Sequence, residues 1–449
     1  MFAAALFLAF AHKTRQFFYS NKEDTMKKIV CLLCVFCLLT GCTKTEAPQE
    51  EAPIKVIEAV PIEDEARFAT ETTVDKAFAT AAMDRAVEKL RKNIDKFSAS
   101  FPQPYSVDDT YVTDSDINWT SGMLTGCYWL AYEYTGDEVF KEAALRHTEI
   151  YKSYAKSKEK LNDHDTGFIY IPSCIAGYKI TGDTSLRDAA LHAANILLTH
   201  YDWENHFIIR SGMRDTKNYD GYRMLVDSMM NIPLFFFAYE ETGDKTYYDA
   251  AVGHYNATKQ YLIRKDGSSF HHYQFDPKTG DPVYGLTHQG HSDVSCWSRG
   301  QAWLIYGYPI AYSYTQDESI LPVAKSVTNY YLNRLTPNNV PYWDLAFTFG
   351  RSEPKDTSAA AITTCGMLEM CKFLPDDAPE KAFYQNAAAM QLNSMVEIYE
   401  SPEGADGLLR KVTHSVPHDQ GIEEYGIYGD YFYMEALMRY INPEWNRYW

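Results

Sequence analysis

The sequence predicts an all-α fold, an (α/α)6 barrel in which six helical hairpins close into a toroid. Three observations lead to this prediction: a short motif repeats along the chain, each copy lies between two helical patterns, and about six hairpins result. The motif reads TGD or TQD and begins at Thr135, Thr181, Thr242 and Thr315. Because Gly often ends a helix and Asp often begins one, each copy predicts the turn of a hairpin.

The two helices of each hairpin differ in character. Each copy of the motif follows an apolar run, such as GCYWLAYEY or IPLFFFAYE, and precedes an amphipathic run, such as EVFKEAALRH. A weaker fifth copy, FLPDDAPEKAFYQNAAAM, covers 373–390, and GDYFYMEALMRY near the end supplies a last apolar helix. Helical hairpins that cannot bury their faces alone must stack. An open solenoid is the alternative, but its repeats are usually more regular, so we expect a closed ring.

The predicted catalytic domain covers residues 76–449, and the preceding residues have a different composition. Residues 26–42, MKKIVCLLCVFCLLTGC, have two lysines before an apolar core that is too short to span a membrane, which is typical of a signal peptide. LTGC is similar to a bacterial lipobox, in which Cys42 becomes the lipid-modified first residue; an ordinary cleaved signal is the alternative. We interpret residues 1–25 as a start-site extension and 43–75 as an acidic disordered tether. These features predict a lipid-anchored protein of the bacterial cell envelope, facing the periplasm or the surface.

Charge and cysteine content exclude several functions. The formal net charge is −18, with 42 basic and 60 acidic residues, which argues against nucleic-acid binding. Five cysteines follow the signal at scattered spacings, so neither a disulfide framework nor a CxxC metal pattern is predicted. The chain also lacks GxSxG, P-loop, GxGxxG and HExxH motifs, which removes the usual support for serine nucleophiles, nucleotide binding and zinc proteolysis.

Two carboxylates are candidates for acid–base chemistry. Asp165, in NDHDTGFIY, and Asp227, in LVDSMMNIPL, each precede an apolar helix. Each could simply cap its helix, because Asp is a favoured N-cap residue. In a closed ring, however, both would lie at the same end of successive inner helices and could converge on one pocket. Like charges held close together raise the pKa of one group, which supplies an acid near neutral pH.

The long connections hold further polar and aromatic candidates. FHHYQFDP contains His271 and His272, and THQGHSD contains Gln289 between two histidines. CWSRGQAW places Arg299 and Trp303 four residues apart, on one face of a helix. This pair could be a buried Trp against an Arg stem, or a guanidinium for a carboxylate beside a ring for a sugar. The histidine spacings do not favour a metal site.

Several motifs together resemble one family, the unsaturated glucuronyl hydrolases of glycoside hydrolase family 88. They are INWTSGMLTGCYWLAYEYTGD, DHDTGFIY, LVDSMMNIPL, SSFHHYQFDP, THQGHSDVSCWSRGQAWLIYG, DTSAAAIT and IYGDYFYMEALMR, and they span roughly residues 80–441. The resemblance implies an (α/α)6 barrel that removes the 4,5-unsaturated uronic acid from lyase-generated oligosaccharides. The enzyme hydrates the C4=C5 vinyl ether, and the resulting hemiketal opens and releases the rest of the sugar. Neither a metal nor an organic cofactor is implied.

The resemblance also implies roles for individual residues. Asp227 matches the general acid/base and Asp165 the second essential carboxylate. The residues that match substrate-binding segments are Trp119, His164, His271, Gln289, Arg299 and Trp303, and Arg299 is our candidate for binding the substrate carboxylate. One departure is Asn118, where the family often has Asp. Near the C-terminus, Lys411, Thr413 and His414 could accommodate a sulfate or could be ordinary loop residues.

Two alternatives stay open at the level of sequence. An unsaturated rhamnogalacturonyl hydrolase of family 105 would share the fold and act on pectin fragments. A lipid-anchored glycan-binding protein without catalysis would need aromatic platforms but not two convergent carboxylates. Loss of the double-bond absorbance of unsaturated disaccharides distinguishes an enzyme from a binding protein.

Overall fold

The computed structural model describes residues 57, 59–157, 161, 163–211, 213–215, 217–348 and 352–449. The predicted extension 1–25, the signal 26–42 and the lipidation site Cys42 lie outside these residues. The helices in chain order are α1 (Glu65–Ala69), α2 (Lys76–Asn93), α3 (Ser121–Thr135), α4 (Glu138–Tyr154), α5 (Thr166–Tyr170), α6 (Ala176–Thr181), α7 (Thr184–Leu198), α8 (Pro233–Thr242), α9 (Lys245–Tyr261), α10 (Ser298–Thr315), α11 (Ile320–Asn333), α12 (Thr357–Cys371), α13 (Pro379–Ser394) and α14 (Ile427–Ile441). A π-helical turn, Ile171–Ile175, joins α5 to α6, and another, Met395–Tyr399, follows α13.

The predicted (α/α)6 barrel is confirmed. The inner ring consists of α3, the continuous α5–α6 segment, α8, α10, α12 and α14, and each contacts the next. α14 also packs against α3, which closes the ring, and against α2, the first outer helix. The inner helices are apolar on all sides because they contact both the ring interior and the outer helices; every residue of α10 from Ser298 to Tyr312 is buried.

The repeated TGD motif forms the hairpin turns as predicted. Gly136, Gly182 and Gly243 end α3, α6 and α8 in the left-handed region, with φ of 69°, 73° and 71°. In each copy the Thr hydroxyl donates to the carbonyl four residues earlier and accepts from the Asp N–H. The Asp carboxylate then accepts an N–H of the next outer helix. All three residues of the motif therefore satisfy backbone groups at a helix boundary.

The predicted tether extends too far toward the C-terminus. Residues 59–75 lie against the barrel, and this segment includes α1. Ile57, Ile62 and Phe68 are buried in the core. Arg67 donates to the carbonyls of Leu335 and Thr336. Three apolar anchors thus fix a segment whose average composition is polar, and composition alone does not reveal them.

Short antiparallel strands lie in the connections. β1 (Phe101–Val107) pairs with β2 (Thr110–Asp114), and β3 (Tyr201–Asp202) with β4 (Phe207–Ile208). β5 (Arg223–Leu225), β6 (His272–Phe275) and β7 (Pro282–Leu286) form a three-stranded sheet in which Leu225 lies opposite His272. The five cysteines after the signal are buried and free. Among the described residues, no helix has both the length and the apolar character that a membrane span requires.

Candidate active site

The inner helices all begin at one end of the barrel, and the predicted site residues lie at these beginnings. Trp119 precedes α3, Asp165 precedes α5, Asp227 lies in a 3₁₀ helix (Val226–Met230) before α8, and Arg299 is in the first turn of α10. The barrel topology therefore brings together residues that are far apart in the sequence. Helix N-termini carry partial positive charge, so this end also favours an anionic ligand.

Asp227 is a nearly buried carboxylate without a direct counterion bond. Its side chain is 16% exposed, and its Oδ2 has no hydrogen-bond partner among the described residues. The Nε2 of His271 lies 3.6 Å from that oxygen. The Trp303 indole N–H also faces the carboxylate, although it forms no hydrogen bond of good geometry. Burial raises the pKa of Asp227, and the positive charges of His164 and Arg299 oppose this shift.

Asp165 has the same character. It occupies the N-cap position of α5 but makes no side-chain capping bond, and its Oδ1 has no hydrogen-bond partner among the described residues. Burial raises the pKa of Asp165 to about 7, against the opposing charge of His164 and with the help of the nearby Asp163 and Asp227 carboxylates. The simple helix-cap explanation therefore does not account for Asp165, and the negative charge of Asp227 contributes to its raised pKa.

His164 is the cation between these acids. Its Nε2 lies 3.3 Å from Asp165 Oδ1 and its Nδ1 lies 2.8 Å from Asp163 Oδ1. Nδ1 also lies 3.0 Å from the carbonyl of Arg210. Burial alone would lower the pKa of His164, but the carboxylates of Asp165, Asp163 and Asp227 together raise it to about 10. His164 is therefore an imidazolium at neutral pH.

The same cluster is the only group of described acid, His and Cys side chains close enough to surround one ion. Asp163, His164 and Asp165 offer atoms within 4.8 Å of one another. Nδ1 of His164 lies within ion-pair distance of Asp163 and Nε2 within ion-pair distance of Asp165, so the cluster has the arrangement of an ion pair.

His271 is neutral and oriented by its neighbours. Its Nδ1 accepts from the backbone N–H groups of His288 and Gln289, each at 3.3 Å, so the proton of the neutral ring resides on Nε2 and points to Asp227. The ring stacks on Trp297 at 4.3 Å. Burial lowers the pKa of His271 well below its usual value, with further lowering from His288 and Arg299. His271 therefore lies beside Asp227 without a hydrogen bond to it and without contributing a charge.

Arg299 and Gln289 hold the loop at 413–414 against the site. Arg299 is 1% exposed and donates to Asp356 and to the carbonyls of Thr413 and His414. The Gln289 amide also donates to the carbonyl of His414. Three of the five guanidinium N–H groups are thus engaged within the protein, which fixes the orientation of Arg299 and leaves fewer donors for a ligand.

The two predicted tryptophans differ. Trp119 is partly exposed and packs against Tyr428 at 5.1 Å and Phe168 at 5.5 Å, so it retains accessible aromatic surface that a sugar could contact. Trp303 is completely buried between Phe168 and Phe432. The expectation that Trp303 is a stacking platform is therefore wrong, because no face of its ring is accessible. Its indole N–H, facing Asp227, is its connection to the site.

The segment considered for sulfate binding is engaged internally. Lys411 pairs with Glu423 at 2.8 Å, and the Thr413 hydroxyl donates to the carbonyl of Lys355 at 2.7 Å. Burial lowers the pKa of His414 to about 3, so this ring is neutral. Asn118 is also structural, because its Oδ1 accepts from the N–H and hydroxyl of Thr120 at the start of α3.

Three further residues belong to the site, although the sequence did not assign them a role. Asp356 pairs with Arg299, Asp163 pairs with His164, and Asn231 lies completely buried between the two candidate carboxylates. Asp356, in DTSA, has a recognisable N-cap signal, and it accepts the N–H of Ser358 in that role. Asn231 is the one polar residue between MM and IPLFFFAY, which is a signal that could have identified it.

Comparison with known proteins agrees with this geometry. The sequence model described as Glycosyl Hydrolase Family 88 matches residues 93–441. The unsaturated chondroitin disaccharide hydrolase of Streptococcus pneumoniae is 41% identical over 399 residues, covering 88% of this chain and 100% of the relative. The crystal structure of the unsaturated glucuronyl hydrolase from Streptococcus agalactiae superposes with a TM-score of 0.85 at 40% identity, covering 89% of this chain and 100% of that one. A variant of that enzyme complexed with dGlcA-GalNAc6S superposes with a TM-score of 0.77 at 38% identity, covering 88% and 100%.

Proposed function

Because the chain belongs to glycoside hydrolase family 88, we propose that it removes the 4,5-unsaturated uronic acid from the non-reducing end of glycosaminoglycan fragments produced by lyases. The single observation that carries this proposal is the pair of nearly buried carboxylates, Asp165 and Asp227, each with an oxygen that has no hydrogen-bond partner among the described residues. A carboxylate without hydrogen bonds retains its proton more readily, and a proton donor is what the vinyl ether requires.

The reaction can be followed through this chain's own groups. Asp227 in its protonated form donates its proton to C4 of the double bond, and positive charge develops at C5 and the ring oxygen. Water then adds at C5 and gives up a proton to a carboxylate of the pair, which restores the starting state. The hemiketal so formed opens, and the remaining sugar leaves. Overall, one water is added across the double bond and one glycosidic linkage is lost.

The surrounding groups suit this sequence of steps. The His164 imidazolium limits repulsion between the carboxylates when the pair carries two negative charges. The neutral His271 lies 3.6 Å from Asp227 and places no charge beside its carboxyl group. The six helix N-termini at this end favour the uronate carboxylate of the substrate, and Trp119 provides the accessible aromatic ring. Arg299 remains our candidate for contact with that carboxylate through its remaining N–H groups.

For the substrate, we propose unsaturated disaccharides of the chondroitin class. Support comes from relatives named unsaturated chondroitin disaccharide hydrolase, which are about 40% identical over nearly their full length. The test is to mix the protein with unsaturated disaccharides from chondroitin, hyaluronan, heparin and pectin and to follow the near-ultraviolet absorbance of the double bond. We expect the fastest loss with a glycosaminoglycan substrate. No loss with any substrate would overturn the hydrolase proposal, and loss with the pectin fragment alone would favour the rhamnogalacturonyl alternative.

For location, we propose that Cys42 carries a lipid and anchors the protein in the cell envelope, on the strength of the LTGC sequence after an apolar core. The test expresses the full chain and a Cys42→Ser variant in a bacterial host and measures partition into detergent and labelling by a fatty-acid analogue. We expect both for the parent chain and neither for the variant. A cleaved, unlabelled parent protein would instead indicate an ordinary signal peptide.

A further inference from the structure

Asn231 connects the two segments that carry the candidate carboxylates. It follows the 3₁₀ helix of Asp227 and is completely buried. Its Oδ1 accepts the backbone N–H of Phe168 at 3.0 Å, and its Nδ2 donates to the carbonyl of Asp227 at 3.3 Å. One amide group therefore bonds to the backbone of α5, which begins beside Asp165, and to the backbone of Asp227.

The close approach of these segments is built into the sequence. Gly167, two residues after Asp165, faces Asn231 directly, and a Cβ added there would lie 2.6 Å from the Cα of Asn231 and 2.7 Å from its Oδ1. Contacts this short cannot form, so any larger residue would push the segments apart. Glycine at 167 and asparagine at 231 together set the spacing between Asp165 and Asp227.

The position of Asn231 also bears on the ionisation of Asp165. Asn231 is the hydrogen-bonding group that lowers the pKa of Asp165 against the larger effect of burial. The charged groups that face Asp165 are His164 and Asp163 from its own turn and Asp227 from the 3₁₀ helix. Arg299 and the neutral His271 face Asp227 and so affect Asp165 only indirectly. Asn231 is uncharged, so its contribution is an oriented N–H dipole.

We propose that Asn231 is a positioning residue that fixes the spacing of the Asp165 and Asp227 carboxylates through its bonds to the Phe168 N–H and the Asp227 carbonyl. This inference rests on the proposed function, because it assigns Asn231 to the same acid–base pair. A residue of this kind acts on turnover more than on substrate binding, since it does not touch the sugar.

The test compares Asn231→Ala with Asn329→Ala as a matched control. Asn329 is also a buried asparagine that bridges two segments, since it donates to the carbonyl of Val60 and accepts from Tyr384, but it lies on the outer helix α11. We expect Asn231→Ala to lower kcat by about 10–100-fold with KM changed by less than about threefold, and to shift the kcat–pH profile to higher pH by about half a unit. Asn329→Ala is expected to lower the melting temperature comparably without moving the profile.

The Asn231→Asp variant and the pH dependence of the melting temperature provide two further tests. Asn231→Asp retains an acceptor for the Phe168 N–H but replaces the donor with a negative charge, so it should fold and shift the profile further upward. The melting temperature measured against pH does not depend on turnover. The melting temperature should decline as pH rises, and in Asn231→Ala this decline should continue to higher pH than in the parent. The difference between the two proteins should vanish when both also carry Asp165→Asn.

The outcomes separate the two proposals. If the parent protein turns over no unsaturated disaccharide, the proposed function fails, and the melting data still decide whether Asn231 sets the ionisation of Asp165. If turnover is normal and Asn231→Ala shifts neither kcat nor either pH dependence relative to Asn329→Ala, Asn231 has only a structural role and the inference is overturned.

Discussion

Buried carboxylates occur at both ends of the inner ring, and they are treated differently. At the end where the inner helices begin, Asp165 and Asp227 each have an oxygen to which no described residue donates a hydrogen bond, and burial raises the pKa of both groups. The cation between them, His164, lies 3.3 Å from Asp165 and is itself shared with Asp163. The negative charges of Asp165 and Asp227 are therefore only partly balanced by a nearby cation.

Toward the other end, the acids are fully paired. Glu369 bonds to Arg439 at 2.8 Å and to Arg447 at 2.7 Å. Glu435 bonds to Arg439 at 2.9 Å and accepts the indole N–H of Trp449 at 3.0 Å. Burial would raise the pKa of Glu369, but Arg439 and Arg447 outweigh it and lower this pKa to about 2.

Burial alone therefore does not identify a functional carboxylate. Both clusters are buried and both contain several charges, but the pKa is raised for Asp165 and Asp227 and lowered for Glu369. A paired buried acid fixes the packing of helices and the chain end, and an unpaired one stores the capacity to give or take a proton. Substitutions at Asp165 and Asp227 should therefore change turnover and its pH dependence, whereas substitutions at Glu369 should change the free energy of unfolding.

The largest expected effect is on turnover at the unpaired end. Asp227→Asn keeps the size of the side chain but removes its capacity to donate a proton, so we expect kcat to fall by about 10²–10⁴-fold. The thermal stability should be retained or increased, since a poorly compensated charge is lost. Initial rates on an unsaturated chondroitin disaccharide and a melting curve test this. If the variant keeps most of the parent rate, Asp227 is not the acid and only occupies the end of a helix.

The corresponding substitution at the paired end should act on stability. Glu369→Gln leaves Arg439 and Arg447 buried without their shared counterion, which costs about 3–5 kcal/mol in the free energy of unfolding. Denaturant unfolding measures this loss. The kcat of the folded fraction should stay within about threefold of the parent value, since Glu369 lies away from the acid–base pair. A stable Glu369→Gln variant would mean that the network contributes little.

The sequence predicts much of this arrangement, because its signals are local. The TGD turns, the apolar and amphipathic helix pairs and the positions of Asp165 and Asp227 before inner helices can all be read from short segments. The ring topology then places these two residues at the same end. The packed state of residues 59–75 could not be predicted in this way, because it depends on a few apolar side chains meeting a surface formed by distant helices.

Side-chain environments were also less predictable than positions. The sequence places Arg299 and Trp303 on one helix face, but it does not reveal that Arg299 bonds to Asp356, 57 residues away, or that Phe432 covers Trp303. The role of Asn231 could not be predicted for the same reason, because its partners are the backbone groups of Phe168 and Asp227. Hydrogen-bond satisfaction is a tertiary property, and no local pattern encodes it.

A smaller effect is expected when Asp165 is neutralised. The folded-state pKa of Asp165, about 7, lies above the usual value, so its stability contribution is present at low pH and is lost as pH rises toward 7. Asp165→Asn removes this dependence and should stabilise the protein by about 1–3 kcal/mol at pH 8, with little change at pH 4. Urea unfolding at the two pH values measures the difference. Equal changes at both pH values would show that the Asp165 pKa is not raised.

The smallest effect, and the most specific to the unpaired end, is the pH dependence of turnover. Asp227 must hold a proton to act as the acid, and burial raises its pKa, so kcat should fall about tenfold per pH unit once Asp227 is ionised. Neighbouring histidines do not account for this loss, because burial lowers the pKa of His288 to about 4 and that of His414 to about 3, and His164 stays protonated up to about 10. The pH profile of kcat is measured with the parent protein and with Glu369→Gln. Because Glu369 lies in the ion-paired cluster at the other end, this substitution should not change the pH at which kcat falls. A rate that stays constant to pH 9 would mean that neither carboxylate acts as the acid.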